Sequence, residues 1–120
     1  MNLEHLALVV SDQQRARRFY ETFFGFDEGQ MTHHEDGTLI IRNRYGFALA
    51  LHPVHEVPPQ AEFSHFGFAM RDADSVRKMQ SRFENEGLRI VETNDEPGYV
   101  SFKCLDPDGY KIEVSWEELD

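Results

Sequence analysis

Along residues 3–10, apolar and polar positions alternate: Leu6, Leu8 and Val10 fall on one side, His5, Ala7 and Val9 on the other. A period of two predicts a strand with one packed face. Residues 63–70 repeat the pattern, with Phe66, Phe68 and Met70 opposite His65, Gly67 and Ala69. After each strand the period lengthens. Ala16, Phe19, Tyr20 and Phe23 recur at helical spacing, as do Val76, Met79 and Phe83. Asp12 and Asp72 stand where N-caps belong, and glycines at 25 and 87 suit helix ends. The predicted helices therefore run to about Phe24 and Glu86. Three shorter extended runs follow in each half, at about 28–33, 38–43 and 47–52, then at about 88–93, 99–105 and 110–116. Asp36-Gly37 and Asp108-Gly109 mark turns between them.

The two halves are one pattern written twice. Sliding residues 3–26 onto 63–86 sets His5 on His65, Asp12 on Asp72, Arg17 on Arg77 and Phe23 on Phe83. With the offset enlarged by three, "GFALALH" (46–52) lies on "GYKIEVS" (109–115), so Ala50 meets Glu113. "HPVHEVPPQ" (52–60) holds three of the five prolines and no periodicity, and reads as a linker. The expected architecture is α+β: one domain over 1–120, built of two βαβββ modules (about 1–52 and about 62–120) around a linker at about 53–61.

Composition narrows the function. Twelve Lys and Arg face 22 Asp and Glu, a formal charge of -10. Such a surface repels phosphate backbones, so no nucleic-acid partner is expected. "RARR" (15–18) is the solvated face of a helix with local ion pairs. Cys104 is the single cysteine, so no intrachain disulfide can form; it reads as a buried small apolar residue. No apolar run approaches the roughly 20 residues of a membrane span, and no signal peptide follows Met1. A cytoplasmic protein with no membrane partner is expected.

The candidate chemistry lies on the histidine faces. Small residues there (Ala7, Gly67, Ala69) leave space beside each imidazole. In the last strand Glu113 alternates with Lys111 and Ser115, away from Tyr110, Ile112, Val114 and Trp116. If the modules share one curved sheet, His5, His65 and Glu113 converge. Two neutral imidazoles and a carboxylate suit a divalent transition metal and leave coordination positions open. A lone strand histidine is ordinarily a surface or satisfied core residue. Two at repeat-equivalent positions argue for a shared role. Tyr99, Ser101 and Lys103 alternate against Val100, Phe102 and Cys104, which makes Lys103 and Tyr99 the candidate catalytic or substrate-contacting residues. An exposed lysine at a strand end is the plainer reading of Lys103. His33 and His34 fall at a hairpin tip and are expected to be solvated, and His55 lies in the linker.

Four stretches carry a resemblance over essentially the whole chain: "HLALVVSD" from His5, "RRFYETFFGF" (17–26), "HFGFAMRD" from His65 and "LDPDGYKIEV" (105–114). With them the chain resembles the vicinal oxygen chelate superfamily, which includes glyoxalase I, extradiol dioxygenases, fosfomycin-resistance enzymes and bleomycin-binding proteins. The resemblance implies a cupped, curved mixed sheet with helices outside, and metal ligands at the positions of His5, Ala50, His65 and Glu113. Alanine cannot bind metal, which leaves a His/His/Glu triad. His52 lies two residues beyond Ala50 and faces the same way. The resemblance also implies a divalent cofactor (Fe(II), Mn, Zn, Ni or Co), a homodimer, and an enzyme that chelates vicinal oxygens of a small substrate for dioxygenase, lyase or isomerase chemistry. The alternative it offers is a bleomycin-resistance-type protein that sequesters an antibiotic without catalysis. Two departures stand out. His65 is the last histidine in the chain, and "TNDEPG" (93–98) replaces the Lys/Ser loop of the fosfomycin enzymes.

Overall fold

Both predicted helix starts are capped. In α1 (Gln13–Phe24) the Asp12 carboxylate accepts the Arg15 amide at 3.0 Å, and in α2 (Ala73–Asn85) Asp72 accepts the Ser75 amide at 2.7 Å. Each cap satisfies an amide that has no partner within its own helix. At the far end of α1, Gly25 takes φ 74°, a left-handed conformation that costs a glycine little. The Phe26 amide then returns to the Tyr20 carbonyl at 3.2 Å.

These elements belong to a computed structural model that describes residues 1–119 and divides into two units, Met1–Pro59 and a second beginning at Gln60. The first unit holds β1 (His5–Val10), β2 (Thr32–His33), β3 (Leu39–Arg42) and β4 (Ala48–Pro53) in the order β1-β4-β3-β2. The second holds β5 (Phe66–Ala69), β6 (Ile90–Glu96), β7 (Tyr99–Leu105) and β8 (Lys111–Glu117) in the order β5-β8-β7-β6. In each, the strand before the helix pairs in parallel with the last strand, and the remaining pairings are antiparallel. The α+β class and the two βαβββ modules are as expected.

Strand parity also holds. Leu8 and Val10 are buried, as are Ile112 and Val114, while Ala7 and Gly67 are exposed. Helix α2 covers the apolar face of its sheet, and the Phe83 and Phe102 rings meet edge-on at 5.6 Å. Both rings are fully buried. Truncating such a ring to alanine costs about 3–5 kcal/mol.

Two runs differ from expectation. The strand predicted at 28–33 shrinks to Thr32–His33. Ahead of it the Gly29 amide bonds the Arg42 carbonyl at 2.9 Å, and a Cβ at Gly29 would stand 2.7 Å from that of Arg42. Only a glycine fits that close approach. Conversely, β6 runs through the polar "TNDEPG" as far as Glu96, before a tight turn at Pro97-Gly98 with Gly98 at φ 83°. Asn94, Asp95 and Glu96 pair across to Ser101, Val100 and Tyr99. A polar composition suggests a loop, but ladder pairing with β7 and the Arg77–Asp95 ion pair at 2.9 Å hold it extended. No described helix is long and apolar enough to cross a membrane.

Candidate metal centre

β8 lies between β5 and β7, and Glu113 sits opposite Gly67 on one side and Lys103 on the other. The close side is Gly67, where a Cβ would lie 3.0 Å from the Glu113 carbonyl oxygen and 3.4 Å from its Cβ. Glu113, Lys103 and Tyr99 occupy the sheet face turned away from α2. That is the parity expected, since Val100, Phe102 and Cys104 are buried beneath them.

His65 reaches Glu113 from the start of β5, with its Nε2 3.9 Å from Glu113 Oε2. The separation is too long for a hydrogen bond. The tautomer explains it. His65 Nδ1 lies 2.8 Å from the Phe63 carbonyl oxygen. A carbonyl only accepts, so Nδ1 carries the proton and a neutral ring has a lone pair on Nε2. Glu113 is equally committed, because its Oε1 accepts the Tyr99 hydroxyl at 2.9 Å. With a neutral ring, the two atoms that face each other are both lone-pair donors. His65 Nε2 and Glu113 Oε2 would be the two atoms of this unit to hold a divalent ion, for which an imidazole nitrogen and a carboxylate oxygen are suitable donors. A ligating histidine commonly gives its other N–H to a backbone carbonyl, which is the arrangement seen at His65.

Behind Glu113 runs a chain of hydrogen bonds on the same face. Asn94 Nδ2 donates to Ser101 Oγ at 3.2 Å and Tyr99 donates to Glu113 at 2.9 Å, with the Ser101 hydroxyl acting on the Tyr99 phenol from the same face. The Ser101 bond alone would lower the phenol's pKa. Burial, with the bond to and charge of Glu113, outweighs it, and the pKa of Tyr99 lies above its ordinary value. Ser101 is buried although it faces away from the helix.

Lys103 is the other candidate on this face. Its ammonium pairs with Glu92 at 3.0 Å and stands 5.6 Å from the centre of the Phe63 ring. Only 13% of its side chain is exposed, so it is not the solvated strand-end lysine of the plainer reading. It lines a hollow of about 420 Å³ with Glu62, Phe63, Val91, Glu92 and Lys111, and Lys111 donates to the Glu62 carbonyl. Phe63 joins this hollow to the histidine, because its carbonyl holds the ring of His65.

In the first unit His5 is largely exposed, and its Nδ1 meets Glu4 Oε1 at 2.7 Å. A carboxylate that accepts there again leaves a neutral ring with its lone pair on Nε2. Ala50 lies opposite Ala7. His52 bonds Thr38 Oγ1 at 2.8 Å through Nδ1, and it pairs with Val9, four residues along from His5. That is about 13 Å of strand, so His52 stands at the other end of its sheet from His5. Among the described residues no three His, Cys, Asp or Glu side chains gather closely enough to hold an ion. The second unit brings two donors together, and His5 belongs to the first.

Asn94, Ser101 and Phe63 were not among the sequence candidates. Ser101 was legible only as a face-mate of Tyr99. Asn94 lay in a stretch that reads as loop, and the role of Phe63 rests on its backbone oxygen.

The family model described as Glyoxalase/Bleomycin resistance protein/Dioxygenase superfamily matches residues 2–114. Glutathione transferase FosA of Serratia marcescens is 30% identical over 118 residues, covering 94% of this chain and 79% of that protein. A possible glyoxalase from Bacillus cereus superposes with a TM-score of 0.78 at 29% identity, over 95% of this chain and 97% of that one. A mutant of the fosfomycin resistance protein FosX of Listeria monocytogenes, solved with Mn(II) and a dihydroxypropylphosphonic acid, superposes at 0.75 with 16% identity, over 94% and 87%. This last likeness is one of fold.

Proposed function

The chain belongs to the Glyoxalase/Bleomycin resistance protein/Dioxygenase superfamily, and we propose that it is a metal-dependent enzyme acting on a small substrate with two neighbouring oxygens. One observation carries the reading: His65 Nε2 and Glu113 Oε2 face each other at 3.9 Å, each with its partner atom tied off. Their donor chemistry fits a divalent ion of the Fe(II), Mn, Zn, Ni or Co class. His5, the repeat-equivalent histidine of the first unit, is the candidate third donor by its position in the sequence repeat. Bound there, the ion would act as a Lewis acid toward chelated substrate oxygens, and Fe(II) would add oxygen chemistry. The protein's own part is positional. Phe63 orients His65, Tyr99 orients Glu113, and the hollow beside Lys103 receives the body of the substrate. Lys103 is the candidate proton carrier or anion contact, with Glu92 as its counter-charge.

Elemental analysis of protein purified without chelator tests this reading. Stoichiometric Fe, Mn or another divalent ion, lost in Glu113→Ala and His65→Ala, supports it. Metal-free protein that is thermally stabilised by a bleomycin-type drug would favour sequestration instead.

A further inference from the structure

We infer that Tyr99, backed by Ser101 and Asn94, is a positioning residue that presents a single oxygen of Glu113 to the ion and keeps one coordination position open. The inference rests on the metal reading of His65 and Glu113. Tyr99 was a candidate for substrate contact, but its hydroxyl is already committed to Glu113 Oε1 at 2.9 Å.

The register explains why this residue can reach. Tyr99 lies opposite Glu117, and Glu113 is four positions further back along β8. Four strand residues span about 13 Å, so the phenol and the carboxylate must lean toward each other along the strand. The pair they pass over is Ser101 and Ser115, directly opposite one another. Larger side chains there would fill the path of the ring.

The direction of the chain is fixed by its ends. Asn94 Nδ2 can only donate and does so to Ser101 Oγ. The Ser101 hydroxyl proton is then not needed by Asn94, and the Tyr99 proton goes to Glu113. Glu113 Oε1 thereby holds a proton donor and Oε2 faces His65. A carboxylate without that donor can swing both oxygens onto one ion and occupy two positions instead of one. Three strands of one sheet hold the chain: Asn94 on β6, Ser101 and Tyr99 on β7, Glu113 on β8.

The test uses Co(II), whose visible absorption reports coordination number. The intact protein and Tyr99→Phe, which removes one oxygen and keeps the ring, are titrated with Co(II) by calorimetry and by absorption. Wild-type protein should bind one Co(II) per site. Tyr99→Phe should bind about tenfold more weakly, the usual cost of losing such a support, with a weakened, shifted visible band from the added carboxylate oxygen. Ser101→Ala should move the band the same way by less. A wild-type protein that binds no Co(II) overturns the metal reading and this inference with it. Tight wild-type binding with a Tyr99→Phe band superimposable on wild type overturns this inference alone. Circular dichroism confirms that each variant is folded, and the band of any folded Tyr99 variant, Tyr99→Leu included, decides the matter.

Discussion

Ala50 and Glu113 occupy the same place in their two sheets: Ala50 pairs with Ala7 on β1, and Glu113 pairs with Gly67 on β5. The internal repeat is therefore exact in register where it is broken in chemistry. One copy carries the carboxylate and the other a methyl group. Replacing Ala50 by Glu should restore a fourth donor. The expected outcome is tighter Co(II) or Mn(II) binding, by about tenfold or more for an added charged ligand, with lower activity toward any substrate that uses the vacated position. Calorimetry on Ala50→Glu checks it, and unchanged affinity counts against the site.

Glu113→Ala removes the only carboxylate of the proposed triad. Two neutral imidazoles offset none of the ion's charge, so tight binding should disappear. A loss of about 100-fold or more is expected, beyond that of an outer support. Equilibrium dialysis against Mn(II) gives the answer, and binding within about threefold of wild type would remove Glu113 from the site.

The protein should be a homodimer. Phe24, Phe26 and Phe47 are the aromatic residues that the sequence offers for contact, but Phe26 is only 1% exposed and belongs to the core. The exposed apolar side chains include instead Leu3 and Tyr45, each more than 80% exposed. Leu3 and Tyr45 line a second hollow of about 280 Å³ with Asn2, Glu4, Gly46 and Phe47. Such residues suit an interface. Light scattering should give twice the chain mass at micromolar concentration. Leu3→Ser combined with Tyr45→Ser should shift it to monomer, and a wild-type monomer would refute the prediction.

Asp72→Ala should lower Tm by a few degrees at neutral pH, roughly 5 °C, as loss of an N-cap does in a domain of this size. The effect has a pH sign. The Ser75 hydrogen bonds hold the Asp72 carboxyl below its ordinary range. A depressed pKa gives stability that is present above the unfolded carboxylate's pKa and lost as pH falls through the folded one. Wild-type and variant Tm values should therefore converge in acid. A gap that stays constant down to pH 2 would assign the loss to helix propensity instead.

Cys104 should be inert in the native protein. Burial, with Asp106 nearby, pushes its thiol up to about 12, and the side chain is fully enclosed. A thiol reagent should react in seconds in urea and over hours without it. Rapid labelling of folded protein would show that β7 opens.

Repeat, helices and strand faces were all legible in the sequence, because local periodicity and capping set them. Asp12 and Asp72 cap where they were expected to, and Leu8, Val10, Ile112 and Val114 point inward as alternation requires. The identity of the candidate ligands was legible too, since repeat equivalence marks His5 and His65 and the "DPDGYKIE" stretch marks Glu113. Three things needed the tertiary structure. Strand β6 extends through a polar stretch because its backbone pairs with β7, and hydrogen bonds of that kind do not depend on side-chain type. Tyr99 serves Glu113 across four residues of strand because two serines clear its path, a diagonal that only register defines. The proton on His65 sits on Nδ1 because a backbone oxygen of Phe63 takes it, and a carbonyl's direction is written in no residue letter. Sequence pattern marked His65 and Glu113 as candidates; packing chose which atom of each faces the other.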